Sequence, residues 1–300
     1  MFCDITELSV QDFQRHRGLH DHGICDEATW LALVEASWRL GDRPLKLLAP
    51  HLRGDDVALL QSQLNKLVFD CGRVDGILGP RTARALEDFQ RNCGLEVDAV
   101  CGPGTARALE RNSARTGSGP GVAAVRELDQ LGHSSTSLAE LRVVVGQFGG
   151  LSTLARSVAR DLRHRGAKVI SVDDLDPSQQ AAAANRHAAH VYVGFEAEVD
   201  PRASVAFYRT EGFESAGGRS LAGCLARGLQ DALAGVDTIP TPTARGMRLP
   251  VLRETRMTAV LCSLGPVQPV TDAGSTISDA AMAALTSWAA SPTVSEPVDA

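Results

Sequence analysis

The stretch VDGILGPRTARAL at residues 74–86 returns 23 residues later as VDAVCGPGTARAL at residues 97–109. The match keeps register through glycine, proline and apolar positions alike, which marks an internal duplication. A second echo has a longer offset. FQRHRGL at 13–19 reappears as FQRNCGL at 89–95, and the same 76-residue step carries Ile24 to Val100, Cys25 to Cys101, Thr29 to Thr105 and Leu33 to Leu109. The chain therefore holds three copies of one turn-then-helix unit. Asp75-Gly76 and Gly79-Pro80 write the turn, and Pro80 suits the first turn of a helix that Thr82 is placed to help cap. Ala83, Leu86 and Phe89 form an apolar stripe behind it, widened by Ala85. Upstream, Asp55 or Asp56 stands where it caps a helix whose Val57, Leu60, Leu64 and Leu67 share one face. The pattern predicts a glycine-punctuated bundle of three helices over 54–112.

Downstream the character of the chain changes. Residues 111–140 contain RNSARTGSGPG and GHSSTS, which read as a flexible linker. Apolar β-branched runs at 141–145, 168–172, 190–195, 205–209 and 258–263 then alternate with helical patterns at 152–165, 177–189, 218–233 and 278–289. Strand–helix alternation of this kind predicts a layered α/β sheet. The expected division is a partial repeat at 1–45, a complete helical module at 46–112, a linker at 113–140, an α/β domain at 141–290 and a flexible tail at 291–300. Thr293 and Ser295 make that tail a candidate phosphorylation segment, although polar termini without anchorage are common.

Composition bounds the function classes. The 300 residues carry 36 acidic and 30 basic side chains, a formal charge of −6, which disfavours nucleic acid as a partner. Seven cysteines are scattered without a C-x-x-C pair, so no zinc ribbon or thioredoxin-type motif is present. The first residues, MFCDITELSV, place Asp4 and Glu7 where an export signal needs an apolar run. No run approaches the ~18 apolar residues of a membrane span. These features lead to the expectation of a cytoplasmic chain with reduced thiols; an upstream export signal would instead place it outside the membrane.

The repeat resembles the type-1 peptidoglycan-binding module, whose hallmarks are V-x-x-L-Q-x-x-L on a first helix, then VDGILGPRTARALEDFQ, then GL-x-x-D. Residues 57–109 cover a whole module, and 2–40 resemble the second half of another. The resemblance implies binding to peptidoglycan, and Asp75, Arg81 and Gln90 are the candidate glycan contacts, with Trp30 and Phe69 as candidate stacking platforms. A bundle serving only interaction or oligomerisation is the competing reading.

The second half resembles the type-3 zinc-dependent N-acetylmuramoyl-L-alanine amidases. AAAANRHAAHVYVGFEAE at 181–198 is similar to the family's R-A-x-x-A-N segment, and LPVLRETRMTAVLCSLG at 249–265 to its L-x-V-L-R…V-E-L-G-F segment. The expected fold class is thus α plus α/β, with small helical repeats before a zinc-amidase-type sheet domain. That resemblance implies a zinc ion held by two histidines and a glutamate, with a further glutamate as general base and acid. The aligned positions hold other residues. Phe148 stands for the histidine of D-P-G-H-G-G, Glu196 for the second histidine and Ser263 for the catalytic glutamate, while the loop meant to supply the glutamate ligand is shortened after Gly150.

Among other candidates, His190 opens a strand, His164 and His187 fall on helices and His133 lies in the linker, none with paired metal spacing. Glu196 and Glu198 alternate on one face at a strand end and are candidates for a cationic group. Cys262 reads as a buried strand residue without an activating histidine. The expectation is a catalytically degenerate amidase homologue with no metal. It would bind a peptidoglycan fragment, a precursor or a cell-wall synthesis protein and regulate wall metabolism. An active zinc amidase and an exported, non-catalytic wall-binding protein remain the alternatives.

Overall fold

The computed structural model describes residues 3–114, 121–133 and 137–292, so Thr293 and Ser295 lie outside the described residues. The chain divides into two compact units, one of residues Met1–Glu127 with Thr210–Glu214 and one of Leu128–Arg209 with Ser215–Ala300.

Unit 1 contains α1 (Asp4–Arg17), α2 (Glu27–Ala36), α3 (Asp55–Lys66), α4 (Pro80–Asn92) and α5 (Pro103–Ser113). The starts of α1 and α4 are 76 residues apart, and so are those of α2 and α5, as the longer sequence echo requires. Val57, Leu60 and Leu64 of α3 share one core cluster with Leu86, Phe89 and Leu109. Pro80 and Pro103 open their helices in the first turn, where a missing N–H costs nothing.

The capping differs from the sequence expectation. Gly54 occupies the cap of α3, and Asp56 is buried, with its carboxylate accepting from Arg43 Nε at 2.7 Å and from the Val57 N–H. Thr82 is likewise buried and caps nothing, because its hydroxyl accepts from Gln61. Asp26 does cap α2, accepting from the Thr29 amide at 2.8 Å.

Three buried glutamines hold the three turns in the same way. The Gln61 amide donates to Asp75 Oδ1, the Ile77 carbonyl and Thr82 Oγ1, while its oxygen accepts from the amides of Asp75 and Gly76. Gln90 repeats this with Asp98, Val100 and Thr105, accepting from Asp98 and Ala99. Gln14 does so with Ile24 and Thr29, accepting from Gly23. Each copy needs one left-handed residue in its turn, at Gly23 (φ 77°), Gly76 (φ 69°) and Ala99 (φ 56°). Only the third is strained, since a Cβ disfavours that region by about 1–2 kcal/mol. Ala99→Gly is therefore expected to stabilise unit 1 by a few tenths to about 1 kcal/mol after glycine's larger unfolded-state entropy is offset. Thermal unfolding of the two proteins side by side measures it.

The stretch 113–140, read from its composition as a flexible linker, carries α6 (Val122–Gly132) and a 3-10 turn at Leu138–Glu140. The period-3.6 signal in VAAVRELDQLG was overshadowed by the flanking Ser and Gly runs.

Unit 2 is built on β1 (Arg142–Gln147), β2 (Lys168–Asp173), β3 (Val191–Ala197), β4 (Arg202–Thr210), β6 (Thr243–Met247) and β7 (Thr258–Gly265), while the short β5 (Phe213–Glu214) belongs to unit 1. The central strands lie in the order β2-β1-β3-β7-β4, with β6 beside β4. β1, β2, β3 and β7 are parallel, and β4 runs antiparallel to β7. The helices are α7 (Ser152–His164), α8 (Pro177–Arg186), α9 (Ala216–Ala232), α10 (Pro250–Glu254), α11 (Val267–Asp272) and α12 (Gly274–Ala290). Period-2 alternation splits the sheet's side chains. Val191, Val193, Phe195, Val260, Cys262 and Leu264 enter the core with residues of α7, α9 and α12. Tyr192, Glu196 and Ser263 therefore point to the opposite face.

Candidate functional site

Parallel α/β sheets place their chemistry at the carboxyl ends of the strands. At that edge β3 and β7 are in register, with Glu196 opposite Ser263, and β4 places Ser204 on the other side of Ser263. The Ser263 hydroxyl donates to Glu196 Oε2 at 2.8 Å, and Ser263 is buried. Phe148, just past β1, donates its N–H to the Phe195 carbonyl at 3.0 Å. The structure thus brings Phe148, Glu196 and Ser263 to one edge. Glu198, two residues further on, forms an ion pair with Arg202 at 3.5 Å.

A buried polar network, which the sequence reading missed, supports this edge. Tyr192 OH donates to Gln180 Oε1 at 2.7 Å, and Gln180 Nε2 donates to the carbonyls of Gln147 and Asp174 at 2.8 and 2.6 Å. Gln147 bonds to Asp173 and accepts from the Gly149 amide. Burial, with the nearby charge of Glu196 adding to it, pushes the Tyr192 hydroxyl far above the usual phenol range, so it remains a donor. Gly146 is required here, because a Cβ would stand 2.0 Å from Gln180 Oε1. No motif spacing announces this set; its members lie on β1, α8 and β3.

The donors that the described residues of unit 2 themselves supply at this edge do not match the zinc set that the resemblance implies. Within unit 2 the described residues present the carboxylates of Glu196 and Glu198, with ligand oxygens within 4.8 Å of each other, serine hydroxyls and an aromatic ring, but no imidazole, where zinc takes imidazole nitrogens and a carboxylate. The histidines of this unit lie elsewhere. His190 precedes β3 and accepts from the Arg142 amide at 3.3 Å, at the amino end of the strands. His164 ends α7, His187 follows α8, and His133 follows α6 with its ring on the Asp129 carbonyl. Cys262 faces the opposite core, and burial pushes its thiol up to about 12, which leaves it unreactive at neutral pH.

His190 offers a pH test. Burial, reinforced by the positive Arg142, lowers its pKa, so the neutral ring is favoured in the fold. A histidine with a depressed folded pKa contributes its full stability above the unfolded value of about 6.5 and loses it as pH falls through the lower folded value. His190→Asn is expected to flatten stability below pH ~6.5 relative to the parent, as read by denaturant midpoints across pH.

The candidate glycan contacts in unit 1 resolve unevenly. Gln90 is only 1% exposed and spends its amide on the turn, so the expectation that it is an exposed glycan contact is corrected. A glutamine beside an apolar stripe reads as a solvated face until its turn is seen to close over it. Asp75 is half-buried and accepts from Gln61 and from the Ile77 amide at 2.8 Å. Arg81 is exposed and pairs with Asp70 at 2.6 Å. Burial alone would raise the Asp70 pKa, but hydrogen bonds from Arg81, Gly72 and Arg126 outweigh it and hold the carboxyl below its usual range. Phe69 packs edge-on against Phe89 at 5.6 Å, whereas Trp30 is exposed.

The chain thus joins a helical unit with turn-holding glutamines to a mixed α/β sheet domain. Residues 53–109 match a family model described as a putative peptidoglycan binding domain. The chain is 34% identical, over 93% of its own length and 75% of the relative's, to N-acetylmuramoyl-L-alanine amidase CwlM of Mycobacterium tuberculosis. It belongs to the N-acetylmuramoyl-L-alanine amidase family. Among solved structures it is similar to the amidase AmiC2 of Nostoc punctiforme, at 17% identity and TM-score 0.40, over 52% of this chain and 98% of that one. It is also similar to the amidase Ami1 of Mycobacterium smegmatis, at 14% identity and TM-score 0.41, over 52% and 99%. Among the described residues no helix is long and apolar enough to cross a membrane.

Proposed function

We propose that this chain is a catalytically degenerate member of its family. It binds peptidoglycan, a precursor or a cell-wall synthesis protein and regulates wall metabolism without cleaving the muramoyl–peptide amide. The observation that carries this reading is the Ser263–Glu196 hydrogen bond. A serine hydroxyl stands where the resemblance calls for a general base, and it cannot accept a proton from water at neutral pH. Its partner carboxylate stands where a histidine ligand is called for. With Phe148 at the third position, the described residues of unit 2 present carboxylates at this edge but no imidazole to hold a metal beside them.

In this reading the chain holds no resident metal and works in the cytoplasm, a compartment that suits its seven free cysteines. The competing reading, an active zinc amidase, is favoured by the name of the mycobacterial relative. The two separate on mixing the purified chain with muropeptides. The degenerate reading expects the muropeptide to be recovered intact by mass spectrometry after hours; free stem peptide overturns it.

A further inference from the structure

In the complete helical bundle, α3 lies against both α4 and α5. Its Val57, Leu60 and Leu64 share a core cluster with Leu86, Phe89, Ala106 and Leu109, all buried. The 76-residue offset carries those four positions to Val10 and Phe13 on α1 and to Trp30 and Leu33 on α2. There Val10 and Phe13 are only half-buried, while Trp30 is 61% and Leu33 39% exposed, against 0% for Leu109. The same groove is built twice and filled once. Next to it, exposed Leu31 and Val34 stand where α5 has Arg107 and Glu110. At 100° per residue, positions 30, 31, 33 and 34 cover an arc of about 160°. An exposed apolar patch of this width marks an interaction surface.

Charge selects the occupant. Residues 1–36 carry seven acidic and two basic side chains, so −5 of the chain's formal −6 resides here. A second copy of the chain would set like charge against like, whereas a cationic helix is attracted. We propose that α1 and α2 form a docking groove for a basic amphipathic helix of a partner protein. That helix presents an apolar stripe with the V-x-x-L-x-x-x-L spacing of Val57, Leu60 and Leu64, flanked by Lys or Arg. The arrangement is a helix-in-groove interface, with apolar anchors for affinity and flanking charge for partner choice.

The probe is a stapled helical peptide of residues 53–67 in which the residues matching Asp55 and Asp56 are replaced by lysine, titrated calorimetrically against the full chain. The unaltered peptide, whose two acidic and two basic side chains cancel, is its control. The expected result is one saturable site per chain, bound at least ten-fold more tightly by the lysine peptide at low salt. Leu33→Glu is expected to weaken it ten-fold or more, and so is Leu31→Glu, at a 51% exposed position where the fold tolerates charge. Absence of saturable binding overturns the proposal, and so does equal affinity for the two peptides. Displacement of the lysine peptide by muropeptides assigns the groove to glycan, and a dimer that Leu33→Glu dissociates assigns it to a second copy; either result also overturns it.

Discussion

Gln61→Ala is expected to cost the helical bundle of unit 1 about 3 kcal/mol or more. The substitution removes one buried amide and strands its partners. The amides of Asp75 and Gly76 lose their acceptor, and Thr82 and Asp75 lose a donor. Each buried polar group left unsatisfied costs roughly 1–3 kcal/mol. The partners do not all regain water, because Gly76 and Thr82 are buried. For a bundle of this size the shift in melting temperature is about 4–8 °C per kcal/mol, so calorimetry should record a fall of the order of 15 °C. Gln61→Glu keeps the two acceptor contacts but sets a buried carboxylate against Asp75, which Gln61 Nε2 meets at 2.8 Å, so its loss should be at least as large at neutral pH and should shrink as pH falls.

Ser263→Glu should have the second large effect, and its sign with pH is diagnostic. Ser263 is 1% exposed and hydrogen-bonded to half-buried Glu196, so the new carboxylate would meet an existing one across a register pair. Two like charges in one site raise the pKa of at least one of them. A carboxyl whose folded pKa lies above its unfolded value of about 4.3 destabilises the fold at neutral pH, and the penalty disappears as pH falls below that value. The variant is therefore expected to lose about 3 kcal/mol or more at pH 7, the scale of an uncompensated buried charge, and to approach the parent near pH 4. Adding Glu196→Gln should restore most of the loss at pH 7. Although Ser263→Glu puts a carboxylate where the resemblance calls for the general base, muropeptides should stay intact, because no imidazole joins it from the described residues of unit 2.

Much of the fold is legible in the sequence because periodicity and turn chemistry are local. The 76-residue offset foretold that α1–α2 would copy α4–α5, and the apolar runs found β1, β3 and β7. Where sequence reading failed, the cause was long-range. Gln90 looks exposed on a helical wheel, and only the returning turn at Asp98–Val100 buries it. Asp56 looks like a cap until Arg43 reaches it from 13 residues away. β6 has a half-exposed pattern with little apolar signal, and pairing with β4 is what makes it a strand. At the candidate site, Glu196 and Ser263 were readable from aligned motifs, and their contact follows from strand register. Gln147, Gln180 and Tyr192 were not, since no sequence spacing says that three such residues meet across β1, α8 and β3.

In the proposed function this family member no longer carries out the family's hydrolysis. The most direct test is metal content measured together with muropeptide release on one preparation of the full chain, purified after growth with added zinc. The proposed function expects far less than one zinc per chain, unchanged by further zinc, and no stem peptide above the protein-free control. One zinc per chain accompanied by stem-peptide release would contradict it.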